Sequence, residues 1–199
     1  MRILGVDPGS RLTGYGCIDL MGRQLSLVTH GTLRLSNTSG KAVIPLEDRL
    51  LSIFHGLTEV ILKFQPKVMV VERVFFAKNA VSALKLGQAR GVVVLSGKVH
   101  SLQIVEYSPT QVKQAVVGHG HADKEQVAKM VQLLVGQQKF STYDASDGLA
   151  LAICHAQMAR LGIMQGVQVH AKRKRMSMAE AVGANRIAAN PGIKKDRST

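Results

Sequence analysis

Apolar and polar positions change their period along this chain, and the changes mark out its elements. Arg2–Asp7 is a short apolar run rich in branched residues and stopped by Pro8-Gly9, as expected of a buried central strand that ends in a turn. Two further strand-like runs, 13–19 and 25–35, flank a turn at Met21-Gly22-Arg23, and three strands on short links predict an antiparallel meander. The period then lengthens. Within 44–64, Leu46, Leu50, Ile53, Leu57, Val60, Ile61 and Phe64 recur at helical spacing, which predicts an amphipathic helix with one core face, ended by Gln65-Pro66. A buried strand follows at 67–72 (KVMVVE), then a long second helix at 80–100 and a fifth strand at 102–107 (LQIVEY). Beyond Pro109 the pattern predicts a short helix to Val117, a Gly118-His119-Gly120-His121 loop, a helix from about residue 123 to 135, and a last helix from about 143 to 161.

The order βββ-α-β-α-β-α-α-α predicts an α/β domain. Its sheet has five strands, three antiparallel and two later ones parallel to the first, with helices on both faces. With 199 residues, 46% of them apolar, and a mean hydropathy of +0.09, the chain has material for one domain with a real core, which excludes a basic disordered tail protein. Apolar periodicity weakens from about Gly166, where Lys172-Arg173-Lys174-Arg175 and Lys194-Lys195 appear among small and polar residues. The expected division is a folded domain over 1–162 and a basic, flexible extension over 163–199.

Charge narrows the class of partner. The chain carries 26 Lys+Arg against 13 Asp+Glu, a formal +13, and such an excess on a folded domain favours a polyanion. The final thirty residues hold 8 basic and 2 acidic groups, against 18 and 11 in the first 169, so the two parts have separate roles. Only Cys17 and Cys154 occur, both in apolar segments, which predicts buried reduced thiols rather than a disulfide framework. No run approaches the ~18 apolar residues of a membrane span, and the start, MRILGVDPG, lacks a signal-peptide pattern, so a soluble cytoplasmic protein with no membrane partner is expected.

Acids are scarce, so their positions are informative. Asp7 ends the first strand and Glu72 the fourth, where an ionised group is costly unless compensated. Either one alone reads equally well as a turn cap. Together they sit at the carboxyl ends of neighbouring parallel strands, the edge at which open α/β sheets place ligands. Asp144 and Asp147, three apart, share one face of the first turn of the last helix, although capping with Ser141 explains them as simply. Three or four converging carboxylates repel unless a divalent cation sits among them, and oxygen-only ligation suits Mg²⁺ or Mn²⁺. Two ions about 4 Å apart would activate water and stabilise the leaving oxygen of a phosphodiester. A basic surface around an acidic metal centre is what a nuclease requires.

Four segments carry a family resemblance: GVDPGSRLTGYG at 5–16, VERVFFAKNAVSALKLGQARG at 71–91, EYSPTQVKQAVVGHG at 106–120 and DASDGLALAICH at 144–155. In this order they closely resemble the bacterial RuvC family of Holliday junction resolvases, in register over about residues 1–160. The resemblance implies a ribonuclease H-like fold and a homodimer that makes paired, symmetric, Mg²⁺-dependent nicks in a four-way DNA junction during recombination and repair. It implies Asp7, Glu72, Asp144 and Asp147 as catalytic metal ligands, for two Mg²⁺ ions that Mn²⁺ can replace. Lys113 and Lys124 match family lysines near the active site, and Phe75 an aromatic that stacks on unpaired bases. Arg11, Lys78, Asn79, Lys85 and Arg90 are expected DNA contacts. The RuvA–RuvB branch-migration complex is an implied partner.

Other readings stand beside this one. Asp7-Pro8-Gly9-Ser10 also fits the phosphate loop of the actin and sugar-kinase superfamily, but the chain has no second such loop. A ribonuclease H-like enzyme acting on RNA and a binding-only junction protein are the remaining alternatives. His119 and His121 suggest a zinc pair less well than a mobile loop touching DNA, since no further ligand accompanies them. His155 lies roughly 12 Å from Asp147 along a helix axis, too far to share its ligand set. The second helix, with more apolar positions than one face needs, is the expected dimer surface.

Overall fold

The structure, a computed structural model, describes residues 1–35, 44–73, 79–136 and 143–162, with the side chains of Tyr143 and Asp144 outside that description. Its elements are β1 (Arg2–Asp7), β2 (Leu12–Met21), β3 (Gln24–Arg34), α1 (Leu46–Phe64), β4 (Val68–Glu72), α2 (Ala80–Val99), β5 (Gln103–Tyr107), α3 (Pro109–Val117), α4 (Lys124–Val135) and α5 (Tyr143–Arg160). The sheet order is β3-β2-β1-β4-β5. β1 to β3 form the antiparallel meander, and β4 and β5 run parallel to β1, as the alternation of strand and helix periods predicts. Residues 1–169 and 170–199 form separate units, and all of the second, like the expected extension 163–199, lies outside the described residues.

Strand alternation sorts the side chains into two cores. Ile3, Val68, Val70, Val105 and Tyr107 face α3, α4 and α5, whereas Leu4, Val6, Met69, Val71 and Ile104 face α1 and α2. The last residues of β1 and β4 continue this alternation, so Asp7 and Glu72 both turn to the α5 side. The expected cysteines are buried and unpaired, Cys17 in one core and Cys154 in the other.

Glycines decide how α5 lies. A Cβ on Gly5 would come within 2.0 Å of the Gly148 carbonyl oxygen, and one on Gly148 within 2.7 Å of the Tyr15 backbone. A Cβ on Gly16 would strike Leu149 at 2.4 Å. Helix and sheet therefore meet almost backbone to backbone, and the first turn of α5 is brought toward the end of β1 that carries Asp7.

Element ends follow local chemistry. α3 and α4 start with reciprocal capping boxes, Ser108 with Gln111 and Asp123 with Gln126, and both stop at a left-handed glycine, Gly118 and Gly136. α1 begins two residues later than the expected 44, because Pro45 takes an extended conformation at the N-cap and restricts Ile44 before it. No described helix is long and apolar enough to cross a membrane.

Candidate active site

One cleft, of about 290 Å³, gathers most of the predicted chemistry. Asp7, Glu72 and Asp147 line it with Lys113 and Lys124, over apolar walls from Val112, Val127 and Leu151. Each acid arrives by a different route. Asp7 and Glu72 come from adjacent parallel strands whose ladder pairs Val6 with Val71, the residues just before them. Asp147 comes from α5, held close by the glycine contacts. Lys113 and Lys124 come from α3 and α4, the two capped helices packed against α5.

The electrostatics are those of an anionic hollow with a cationic rim. Burial pushes the Glu72 carboxyl above its usual range, and the Asp147 carboxylate pushes it further, while Lys124 and Lys113 draw it back. Lys124 Nζ lies 3.9 Å from Asp147 Oδ2, with the lysine side chain 79% exposed and the aspartate 28%. Such an exposed pair contributes little stability, and the lysine remains accessible from solvent.

Three carboxylates on one wall, with few competing soft donors, suit a hard divalent cation. Among the described residues no three His, Cys, Asp or Glu side chains form a ready-made metal cluster. Asp144 stands one turn before Gly148 on α5, and its side chain lies outside the description. The oxygen-rich wall and the raised Glu72 fit a cation: mutual repulsion is what a bound positive charge would relieve.

The expected DNA contacts divide. Phe75 and Lys78 lie outside the described residues. Arg11 is exposed beside the Asp7 loop, its carbonyl accepting a bond from the Leu35 N–H, and Lys85 is half-buried on α2. Asn79 caps α2, its side-chain oxygen accepting the Ser82 N–H at 2.7 Å. Arg90 is hydrogen-bonded to Glu106, which also lies 3.9 Å from Arg73 Nε. His119 and His121 are exposed in their loop. His155, expected to lie apart from the site, is buried and shares a 3.0 Å hydrogen bond with Tyr107.

Sequence reasoning missed Glu106. The signal was available: it is a third acid in an apolar strand, one residue from the register partner of Glu72. It faces α2, away from the cleft, and organises two arginines on the other side of the same sheet edge.

Comparison with known proteins gives a consistent result. The model of the RuvC family, crossover junction endodeoxyribonuclease RuvC, matches residues 3–155. The crossover junction endodeoxyribonuclease RuvC of Geobacter metallireducens is 51% identical over 159 residues, 80% of this chain and 94% of that protein. That of Syntrophotalea carbinolica is 50% identical over 161 residues, 81% of this chain and 97% of that protein. Among solved structures, T. thermophilus RuvC in complex with Holliday junction substrate superposes with a TM-score of 0.74 at 33% identity, covering 82% of this chain and 97% of that one.

Proposed function

The chain belongs to the RuvC family of crossover junction endodeoxyribonucleases and is a Holliday junction resolvase, and from that premise we propose that Asp7, Glu72, Asp144 and Asp147 hold its divalent metal while Lys113 and Lys124 receive the scissile phosphate. The observation that carries this assignment is the shared cleft, in which Asp7, Glu72 and Asp147 from three elements meet both lysines. The family's chemistry depends on a divalent metal. Our reading is Mg²⁺, two ions per site, with Mn²⁺ as a substitute.

Bound there, the metal supplies activation of the attacking water and stabilisation of the leaving oxygen. The protein's own residues do the rest. Asp7 and Glu72, fixed on adjacent strands, set the position of the cation relative to the sheet edge. Asp147 approaches from α5 and, with Asp7 and Glu72, makes an anionic wall that rejects phosphate until that charge is neutralised, and Asp144 is assigned to the same metal from its place earlier on α5. Lys113 and Lys124, on short capped helices, bind the phosphate and offset charge that develops on it. The apolar walls from Val112, Val127 and Leu151 limit water around the reacting phosphate.

The described residues form one such cleft, and paired symmetric nicks require two, hence two copies of the chain. α2 leaves Val81, Leu84, Leu95 and Val99 exposed, and we assign the homodimer contact to this helix. The nuclease domain is read as 1–162. The basic extension 163–199 adds sequence-independent affinity, so truncation after residue 162 should reduce the salt dependence of DNA binding and spare nicking; loss of the nick would overturn that division. RuvA–RuvB as partner and a cytoplasmic setting belong to the same reading, and co-sedimentation with RuvA–RuvB on a junction tests the former.

The decisive test is cleavage of a synthetic four-way junction across a Mg²⁺ titration. The wild type should nick opposed strands at symmetric positions, and Asp7→Asn should bind the junction with near-normal affinity while losing at least ~100-fold in rate, since charge stabilisation at such sites is worth several kcal/mol. An Asp7→Asn protein that still cuts would remove Asp7 from the assignment. Cleavage of RNA hairpins in place of junctions would favour the alternative substrate.

A further inference from the structure

Behind the cleft lies a buried polar pair that the chemistry above does not use. Tyr107 and His155 are 2% and 4% exposed, and they sit in the core that otherwise joins β1, β4 and β5 to α3, α4 and α5 through aliphatic side chains. Their hydrogen bond, 3.0 Å from the Tyr107 hydroxyl to His155 Nδ1, joins residues 48 apart in sequence. We propose that Tyr107 and His155 are positioning residues, whose hydrogen bond fixes the placement of α5 against β5 and thereby holds Asp147 opposite Glu72. The inference rests on the metal-site reading of those acids.

Three observations support it. Tyr107 is the ladder partner of Glu72, so the two side chains leave the sheet side by side on the same face. Its carbonyl accepts the Arg73 N–H at 2.8 Å, so the same residue anchors the end of β4 by its backbone and α5 by its side chain. Second, His155 and Asp147 share one helix, so a shift or rotation of α5 at His155 is carried to its acidic end. Third, Gly5, Gly16 and Gly148 let α5 come close to the sheet but offer no side chains to interlock with it. The glycines supply proximity; the directional bond supplies registration, which aliphatic packing alone sets less sharply.

Burial pushes the Tyr107 hydroxyl up to about 12 and holds the His155 imidazole below its usual value. Both shifts favour the uncharged forms, and a bond between two neutral, buried groups suits a structural reference point for a metal site.

The experiment compares Tyr107→Phe, which strands one buried ring nitrogen, with Tyr107→Phe/His155→Leu, which replaces both partners by apolar groups and so removes the unsatisfied atom. Melting temperature, direct Mn²⁺ binding by calorimetry and junction nicking are read at a temperature where every protein is folded. The double variant should recover most of the stability lost by Tyr107→Phe. It should still bind Mn²⁺ roughly tenfold more weakly, the lower end of the effect of residues that orient metal ligands, with junction affinity unchanged. Wild-type Mn²⁺ affinity and nicking in the double variant would overturn the inference. If the double variant does not fold, wild-type Mn²⁺ affinity in Tyr107→Phe at low temperature overturns it equally. Failure of the metal-site reading is distinguishable: there the wild type itself would bind no Mn²⁺ and cut no junction.

Discussion

α2 and α5, of 20 and 18 residues, both carry apolar residues on more than one face, with opposite outcomes. From Ala145 to Ala156 α5 is buried almost without interruption between the sheet and α3 and α4. α2 buries Ala89 and Val93 against its own core yet leaves Leu84 66% and Val81 63% exposed. A helix that is apolar all round must be covered all round. The fold covers α5 by itself; α2 keeps an apolar stripe exposed, and that stripe is where the second copy is assigned. The site depends on both, since α5 assembles one cleft and α2 is assigned to place a second beside it.

The largest expected effect breaks the α5 side. Gly148→Ala would push a methyl to within 2.7 Å of Tyr15 backbone atoms that have no room to move, in the middle of a two-layer contact. Overpacking of this kind costs about 3 kcal/mol, at the upper end of its range, so the melting temperature should fall by roughly 10 °C and nicking should be lost as α5 lifts from the sheet. Thermal melts and junction cleavage check this. A variant that melts and cuts like wild type would mean that α5 is not seated on Gly5 and Gly16 as described.

A substitution on α2 should separate assembly from folding. Leu84→Glu places a charge at an exposed apolar position, so the monomer's stability should change by no more than about 0.5 kcal/mol. Sedimentation should nonetheless shift to the monomer, and the paired symmetric cut should give way to weak, unpaired nicking. Unchanged sedimentation would refute the assignment of α2 as the dimer surface.

The comparison also explains how much could be read from the sequence. The strand and helix order was legible because each period persists over whole elements, and ends moved by no more than two residues: β2 runs on to Met21, past the expected 19, and α1 starts late because Pro45 overrides an apolar pattern that continues upstream. Asp7 and Glu72 were legible because acids are scarce and both end apolar strands. What stayed hidden was tertiary. His155 looked remote from any chemistry because only the fold brings it against Tyr107. Arg90 looked like an available cation until Glu106, sixteen residues on in β5, was found to hold it. Gly5 and Gly148 lie in different motifs, and no local rule relates residues 143 apart that meet backbone to backbone.

The smallest expected effect carries the sharpest contrast, because it is the same chemical change as Gly148→Ala with the opposite sign. Gly87 sits inside α2, exposed, and a Cβ there would meet nothing within 4 Å. Alanine at an open helical position restricts the unfolded chain and improves helix propensity, worth about 0.5–1 kcal/mol. By helical angle Gly87 lies beside the stripe of Val81, Leu84, Leu95 and Val99 rather than within it, so Gly87→Ala should raise the melting temperature by a few degrees and leave sedimentation unchanged. A fall in melting temperature that disappears in the Leu84→Glu background would instead put Gly87 under the second copy, and the contact on α2 would then be a close helix crossing, wider than the exposed apolar residues alone define.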